Sequence, residues 1–76
     1  MSDEQRFHDR VALQIGPDGV AQVRLSRPDK MNALDPAMFD GILAAGAALQ
    51  EARGLRAVVL HGEGRSFCAG LDMANF

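Results

Sequence analysis

The sequence predicts an α/β protein, on three observations. Apolar residues alternate in two short runs separated by Gly16-Pro17-Asp18-Gly19, a stripe of apolar residues at helical spacing follows, and the unbroken apolar run Ala57-Val58-Val59-Leu60 leads into a glycine-rich loop. A strand, a helix and a further strand in that order imply a crossover to a parallel neighbour. Open α/β sheets bind ligands at the carboxyl ends of their strands. The stretch Gly62-Glu63-Gly64-Arg65-Ser66-Phe67-Cys68-Ala69-Gly70-Leu71-Asp72 therefore carries the function, and the rest is its scaffold.

Residues 1–9 are polar apart from Phe7 and read as a loosely held, flexible arm, with His8 a solvated surface histidine. From Val11 the apolar residues Val11, Leu13 and Ile15 alternate, the period of a strand with one buried face. Asp18-Gly19 is a strong turn signal, and Val23 and Leu25 share the buried face of the returning strand while Gln22 and Arg24 point outward. This predicts a hairpin over residues 10–26. Pro28 makes the stretch from Ser26 to Asp35 a loop. Asp35-Pro36 then opens a helix, because the carboxylate caps free N–H groups and proline at the first helical position sacrifices no needed donor. Met38, Ile42, Ala45, Leu49 and Ala52, flanked by Phe39 and Leu43, form its apolar stripe, and Gly54 ends it. Gly41 and Gly46 lie inside the helix, each costing up to about 1 kcal/mol relative to alanine. Close approach to another backbone is the reading for both. The run from Ala57 to Leu60 suits a strand buried on both faces, and Leu71 to Phe76 begins a further helix.

The chain has 76 residues, eight basic and ten acidic, for a net charge of −2 with the signs scattered. No nucleic-acid partner is implied. The charged start is followed by no apolar signal core, and the longest nearly apolar run, Ile42 to Leu49, is too short to span a bilayer. A soluble, cytoplasmic protein without a membrane partner is the expectation. The single cysteine, Cys68, forms no internal disulfide and has no metal-ligand neighbourhood, so no metal site is expected. A chain this short buries only about 60 to 65% of its unfolded surface, leaving thin stability.

Glycines at 62, 64 and 70, with Ala69 beside the last, let the backbone come within hydrogen-bonding reach of a ligand and aim bare N–H groups at developing negative charge. The pattern G-x-G-R-x-F-C-A-G-L-D resembles the signature of the enoyl-CoA hydratase/isomerase, or crotonase, family. A second segment, Leu25-Ser26-Arg27-Pro28-Asp29-Lys30-Met31-Asn32-Ala33-Leu34, resembles that family's upstream motif and stands in the expected order. The resemblance implies a crotonase-like fold of repeated ββα units, of which only the N-terminal portion is present here. Residues 10–76 then correspond to the N-terminal part of an acyl-CoA-binding domain, and the full-length protein is expected to form trimers or paired trimers.

The resemblance also implies the chemistry. Family members handle acyl-CoA thioesters in reactions of fatty acid metabolism, including hydratase (lyase) and isomerase steps, with coenzyme A as part of the substrate and no separate cofactor. The residue between glycine and aspartate of A-G-x-D lends its backbone N–H to an oxyanion hole, which maps the donor onto Leu71; the second donor lies downstream. By the same mapping Ala69, Gly70, Leu71, Asp72 and Met73 line the acyl-CoA site, Met31 and Ala33 lie along the pantetheine and adenine, and Lys30 can meet a CoA phosphate. Asn32 ties its loop to its own backbone, Arg65 is structural, and Asp72 caps the following helix or helps shape the loop. The family's catalytic glutamates lie in its later part, and Glu4, Glu51 and Glu63 match none of them. Turnover by these residues alone is not expected, and a truncated, non-catalytic binding or assembly module is the alternative. Two rivals fail on sequence. Phe67 occupies the third small position of a dinucleotide fingerprint, and His61, Ser66 and Cys68 form no recognised nucleophile arrangement.

Overall fold

The computed structural model describes residues 4–76. Four strands form one sheet in the order β1 (Gln5–Phe7), β2 (Val11–Ile15), β3 (Val20–Leu25) and β4 (Ala57–Gly62), and one helix, α1 (Pro36–Glu51), connects β3 to β4. β1, β2 and β3 pair antiparallel, and β4 joins β3 in parallel, with Val20 opposite Ala57 and Leu25 opposite Gly62. The crossover expected from the strand, helix, strand order is therefore present. The hairpin turns on Gly19, whose φ of +83° suits glycine, and Asp18 accepts a hydrogen bond from Val20 N at 3.1 Å.

The expected arm is corrected from residue 5 onward. Gln5–Phe7 is a paired edge strand, with Arg6 opposite Ala12 and Phe7 opposite Val11, while residues 1–3 lie outside the described residues. Three residues are too few to show a period, and what holds them is remote: Phe7 packs against the core and Glu4 pairs with Arg24 at 3.2 Å.

The core consists of Val11, Leu13, Ala21, Val23, Leu25, Met38 and Ala45. Asp35 caps α1 by accepting from Met38 N at 2.9 Å, and Pro36 stands at its start, as the sequence predicts. The buried face of the helix is rotated from the expected stripe. Met38, Gly41 and Ala45 are buried, whereas Ile42 is exposed together with Phe39 and Leu43. A Cβ on Gly41 would stand 2.9 Å from Val11 Cγ2 and 3.0 Å from Phe7 O, so the glycine lets the helix settle onto β1 and β2 with residue 41 at the contact. Gly46 has no neighbour within 4 Å of such a Cβ, which corrects the close-packing reading there. The helix ends at Glu51, before Gly54, whose φ of +72° instead turns the chain toward β4.

β4 is also corrected. Val58, Val59 and Leu60 are 46%, 43% and 55% exposed rather than buried on both faces. α1 packs against β1 and β2, and β4 closes the opposite side of the sheet with no further strand beside it among the described residues. The helix expected from Leu71 is a single 3-10 turn, Met73–Asn75.

Candidate functional site

Because β3 and β4 run parallel, the loops that follow them emerge at the same end of the sheet. The first, residues 26–35, turns through Pro28–Lys30 in a 3-10 turn and then places Met31 and Asn32 in left-handed conformations, with φ of +50° and +57°. Asn32 is completely buried. Its Oδ1 accepts from Arg27 N at 2.7 Å, and its Nδ2 donates to the carbonyls of Glu63 (3.0 Å), Ser66 (2.9 Å) and Phe67 (3.1 Å). It thus ties its own loop, as expected, and clamps the second loop as well.

Gly62 permits that clamp. A Cβ there would lie 2.5 Å from Phe67 O, 2.7 Å from Ser66 O and 2.8 Å from Asn32 Nδ2, so any side chain would push the second loop off the first. Beyond the clamp the two loops run side by side. Ala69 N donates to Met31 O at 3.0 Å, Leu34 N to Gly70 O at 2.8 Å and Asp72 N to Leu34 O at 2.9 Å, giving a lone parallel bridge between Leu34 and Leu71. The two segments singled out in the sequence, 30–33 and 69–73, are therefore neighbours.

The bridge has a consequence for Leu71. Gly70 C=O and Asp72 N–H both face Leu34, and backbone groups alternate sides along an extended chain, so Leu71 N–H faces away. No described residue accepts a hydrogen bond from it, and Leu71 itself is 54% exposed. Lys30, Met31, Ala69 and Met73 are also exposed, while Ala33, Gly70 and Asp72 are half-buried. Arg65 reaches Met31 Sδ at 3.8 Å. Cys68 Sγ accepts from Gly70 N at 3.4 Å, and no hydrogen bond joins His61 to Cys68 or Ser66 among the described residues.

Sequence reasoning missed the ion ladder beneath the loops. Arg10 donates to both Asp35 oxygens, with Nη2 to Oδ2 at 2.9 Å; Arg27 Nη1 donates to Asp72 Oδ2 at 2.9 Å and to Ala33 O at 3.1 Å, and stands 3.6 Å from Asp35 Oδ2. The Arg10 guanidinium, assisted by Met38 N–H, holds the Asp35 carboxyl at about 2 against an ordinary 3.8. Arg27, and after it Asn75, lowers Asp72. Asp72 also caps the last turn by accepting from Ala74 N at 3.2 Å, as its sequence position suggests. Partners 25 and 45 residues apart leave no spacing signal that could have revealed these pairs.

A mixed sheet whose adjacent parallel strands end in two interlocked loops defines an α/β protein, with Leu71 N–H in the second of those loops left without an acceptor among the described residues. The described residues contain no group of three or more His, Cys, Asp or Glu placed to hold a metal, and no helix long and apolar enough to cross a membrane. The chain belongs to the enoyl-CoA hydratase/isomerase family, whose model matches residues 16–76. It is 48% identical over 59 residues to a "Probable enoyl-CoA hydratase" of Rhodobacter capsulatus, covering 76% of this chain and 22% of that protein. It is 41% identical over 56 residues to 4-chlorobenzoyl coenzyme A dehalogenase-2 of an Arthrobacter species, covering 74% of this chain and 20% of that one. Among solved structures, an enoyl-CoA hydratase of Mycobacterium marinum superposes with a TM-score of 0.79 at 40% identity, over 83% of this chain and 32% of that one. The crotonase-like fold expected from the two motifs is thus present in its N-terminal portion, and the chain spans less than a third of the length of these relatives.

Proposed function

We propose that the chain is the N-terminal part of an acyl-CoA-binding enzyme of the enoyl-CoA hydratase/isomerase type, in which Leu71 N–H donates to the thioester oxygen as an enolate or tetrahedral oxyanion forms. The observation that carries this reading is the unclaimed Leu71 N–H, directed away from the Leu34 bridge with the 30–33 segment alongside. A pre-aimed main-chain donor needs no reorganisation during reaction, and losing one typically costs about 2.7–4 kcal/mol of barrier. Met31 and Ala33 would follow the pantetheine and adenine, and Lys30, whose ammonium has no partner among the described residues, would meet a CoA phosphate as a point charge. Coenzyme A enters with the substrate. A full-length, cytoplasmic trimer or hexamer completes the proposal, with the second donor and the acid and base supplied by later residues.

The named relatives include a hydratase and a dehalogenase, both with CoA thioesters in their names, which supports the substrate class and leaves the reaction to the later residues. The described carboxylates support that division. Glu4 pairs with Arg24, Glu63 lies 3.2 Å from Arg24 and 3.4 Å from Ser26 Oγ, and Asp72 is held by Arg27, so each of these three is already engaged.

Binding tests the donor without turnover. Butyryl-CoA and the thioether S-butyl-CoA differ by one carbonyl oxygen, and one hydrogen bond is worth about 0.5–1.5 kcal/mol in binding, a two- to tenfold preference for the thioester. Leu71→Ala should keep that preference, and Leu71→Pro, which has no N–H, should lose it. Equal affinities in the unaltered chain, or a preference surviving in Leu71→Pro, would overturn the proposal. Hydration of crotonyl-CoA by the purified 76-residue chain would show that the acid and base lie within it.

A further inference from the structure

Arg27 touches both loops. Its side chain is 12% exposed, and the same Nη1 donates to Ala33 O in the first loop and to Asp72 Oδ2, one residue past Leu71, in the second. The direction of Leu71 N–H is set by the rotation of the peptide between Gly70 and Leu71. Gly70 cannot fix that rotation, since it has no side chain, its φ is +94°, and nothing lies within 4 Å of where a Cβ would stand. The peptide is therefore held from its two ends. Upstream, Gly70 O accepts from Leu34 N. Downstream, Asp72 is fixed by its N–H to Leu34 O and by its carboxylate to Arg27.

Arg27 is itself braced. Asp35 Oδ2 stands 3.6 Å from Nη1, and Asp35 is anchored by Arg10 and by Met38 N in the first turn of α1. The brace therefore reaches from the helix start through Asp35 and Arg27 to Asp72, with alternating charges and no unpaired member. We infer that Arg27 is a positioning residue that aims the Leu71 main-chain donor, its Nη1 holding a carbonyl of the first loop and a carboxylate of the second at once. This inference rests on the donor role proposed for Leu71.

The test uses the 15N-labelled chain, titrated with butyryl-CoA and with S-butyl-CoA. In Arg27→Met the thioether should bind within about twofold of its original affinity, while the roughly two- to tenfold thioester preference falls to about one. The thioester-induced shift of the Leu71 amide resonance should shrink with it. Equal weakening toward both ligands would mean that Arg27 only supports the fold, and an undiminished preference would mean that it does not aim the donor; either overturns the inference. If Arg27→Met loses its dispersed spectrum, Asp72→Asn removes the other end of the same ion pair and should lower the same ratio. Failure of the underlying reading is distinguishable, because it shows as a missing preference in the unaltered chain before any variant is made.

Discussion

Asn32 is where a single side chain decides whether the two loops meet. Its amide donates to three carbonyls in a site closed to water, and each buried polar group left without a partner costs about 1–3 kcal/mol. Asn32→Ala should lower unfolding stability by roughly 2–4 kcal/mol in urea titrations. Asn32→Asp should cost more, because it turns a carboxylate toward those carbonyls; an Asp variant more stable than the Ala variant would contradict this account of the clamp. Asp35 supplies a pH dependence. Its carboxyl titrates at about 2 in the folded chain against 3.8 ordinarily, so the unfolded chain binds the proton more tightly. The contribution is fully present above about pH 4 and drains away as the pH falls to about 2, up to about 2 kcal/mol in all. Asp72, also lowered, acts in the same direction. Thermal unfolding followed from pH 5 downward should show a shallower acid loss in Asp35→Asn; a slope matching the original would remove Asp35 from the cause.

At the scale of elements, α1 separates two glycines that the sequence makes look alike. Gly46→Ala adds a methyl into open space on an exposed helix position and should stabilise by about 0.5–1 kcal/mol. Gly41→Ala should destabilise by about 1–3 kcal/mol despite its better helix propensity, since its Cβ meets Val11 and a Phe7 carbonyl that cannot retreat. Melting temperatures that move in the same direction for both would refute the packing described for α1. The same helix shows what a sequence carries. Its start is written locally in Asp35-Pro36, and the hairpin turn in Asp18-Gly19, so both were legible. Its buried face was not, because how closely α1 approaches β2 is a property of the pair. β1 escaped notice for a related reason, being three residues held by a partner strand. At the site, the paired motifs were readable as residues in order, whereas Arg10, Asp35 and Arg27 joined their neighbourhood only once folding had brought distant segments together.

Across the whole molecule, the apolar surface is unevenly distributed. The helix covers β1 and β2, while β4 leaves Val58, Val59 and Leu60 open at a sheet edge, close in sequence to the exposed Phe67 and Leu71. An unpaired, apolar edge strand is a template for another chain. Sedimentation should therefore show self-association as the concentration of the 76-residue chain rises. Leu60→Lys should reduce it while changing stability by no more than about 0.5 kcal/mol, as expected for a substitution on an open surface. A chain that stays monomeric at high concentration, or a lysine variant that unfolds, would show that β4 is not the sticky edge.

The bare amide hydrogen of residue 71 has a bearing on mutational history. Every encoded amino acid except proline carries that hydrogen, so almost any codon at this position preserves the donor while altering the side chain beside it. In the role proposed for residue 71, its side chain can thus change without loss of that hydrogen, whereas the asparagine clamp and the glycine at position 62 have no such freedom.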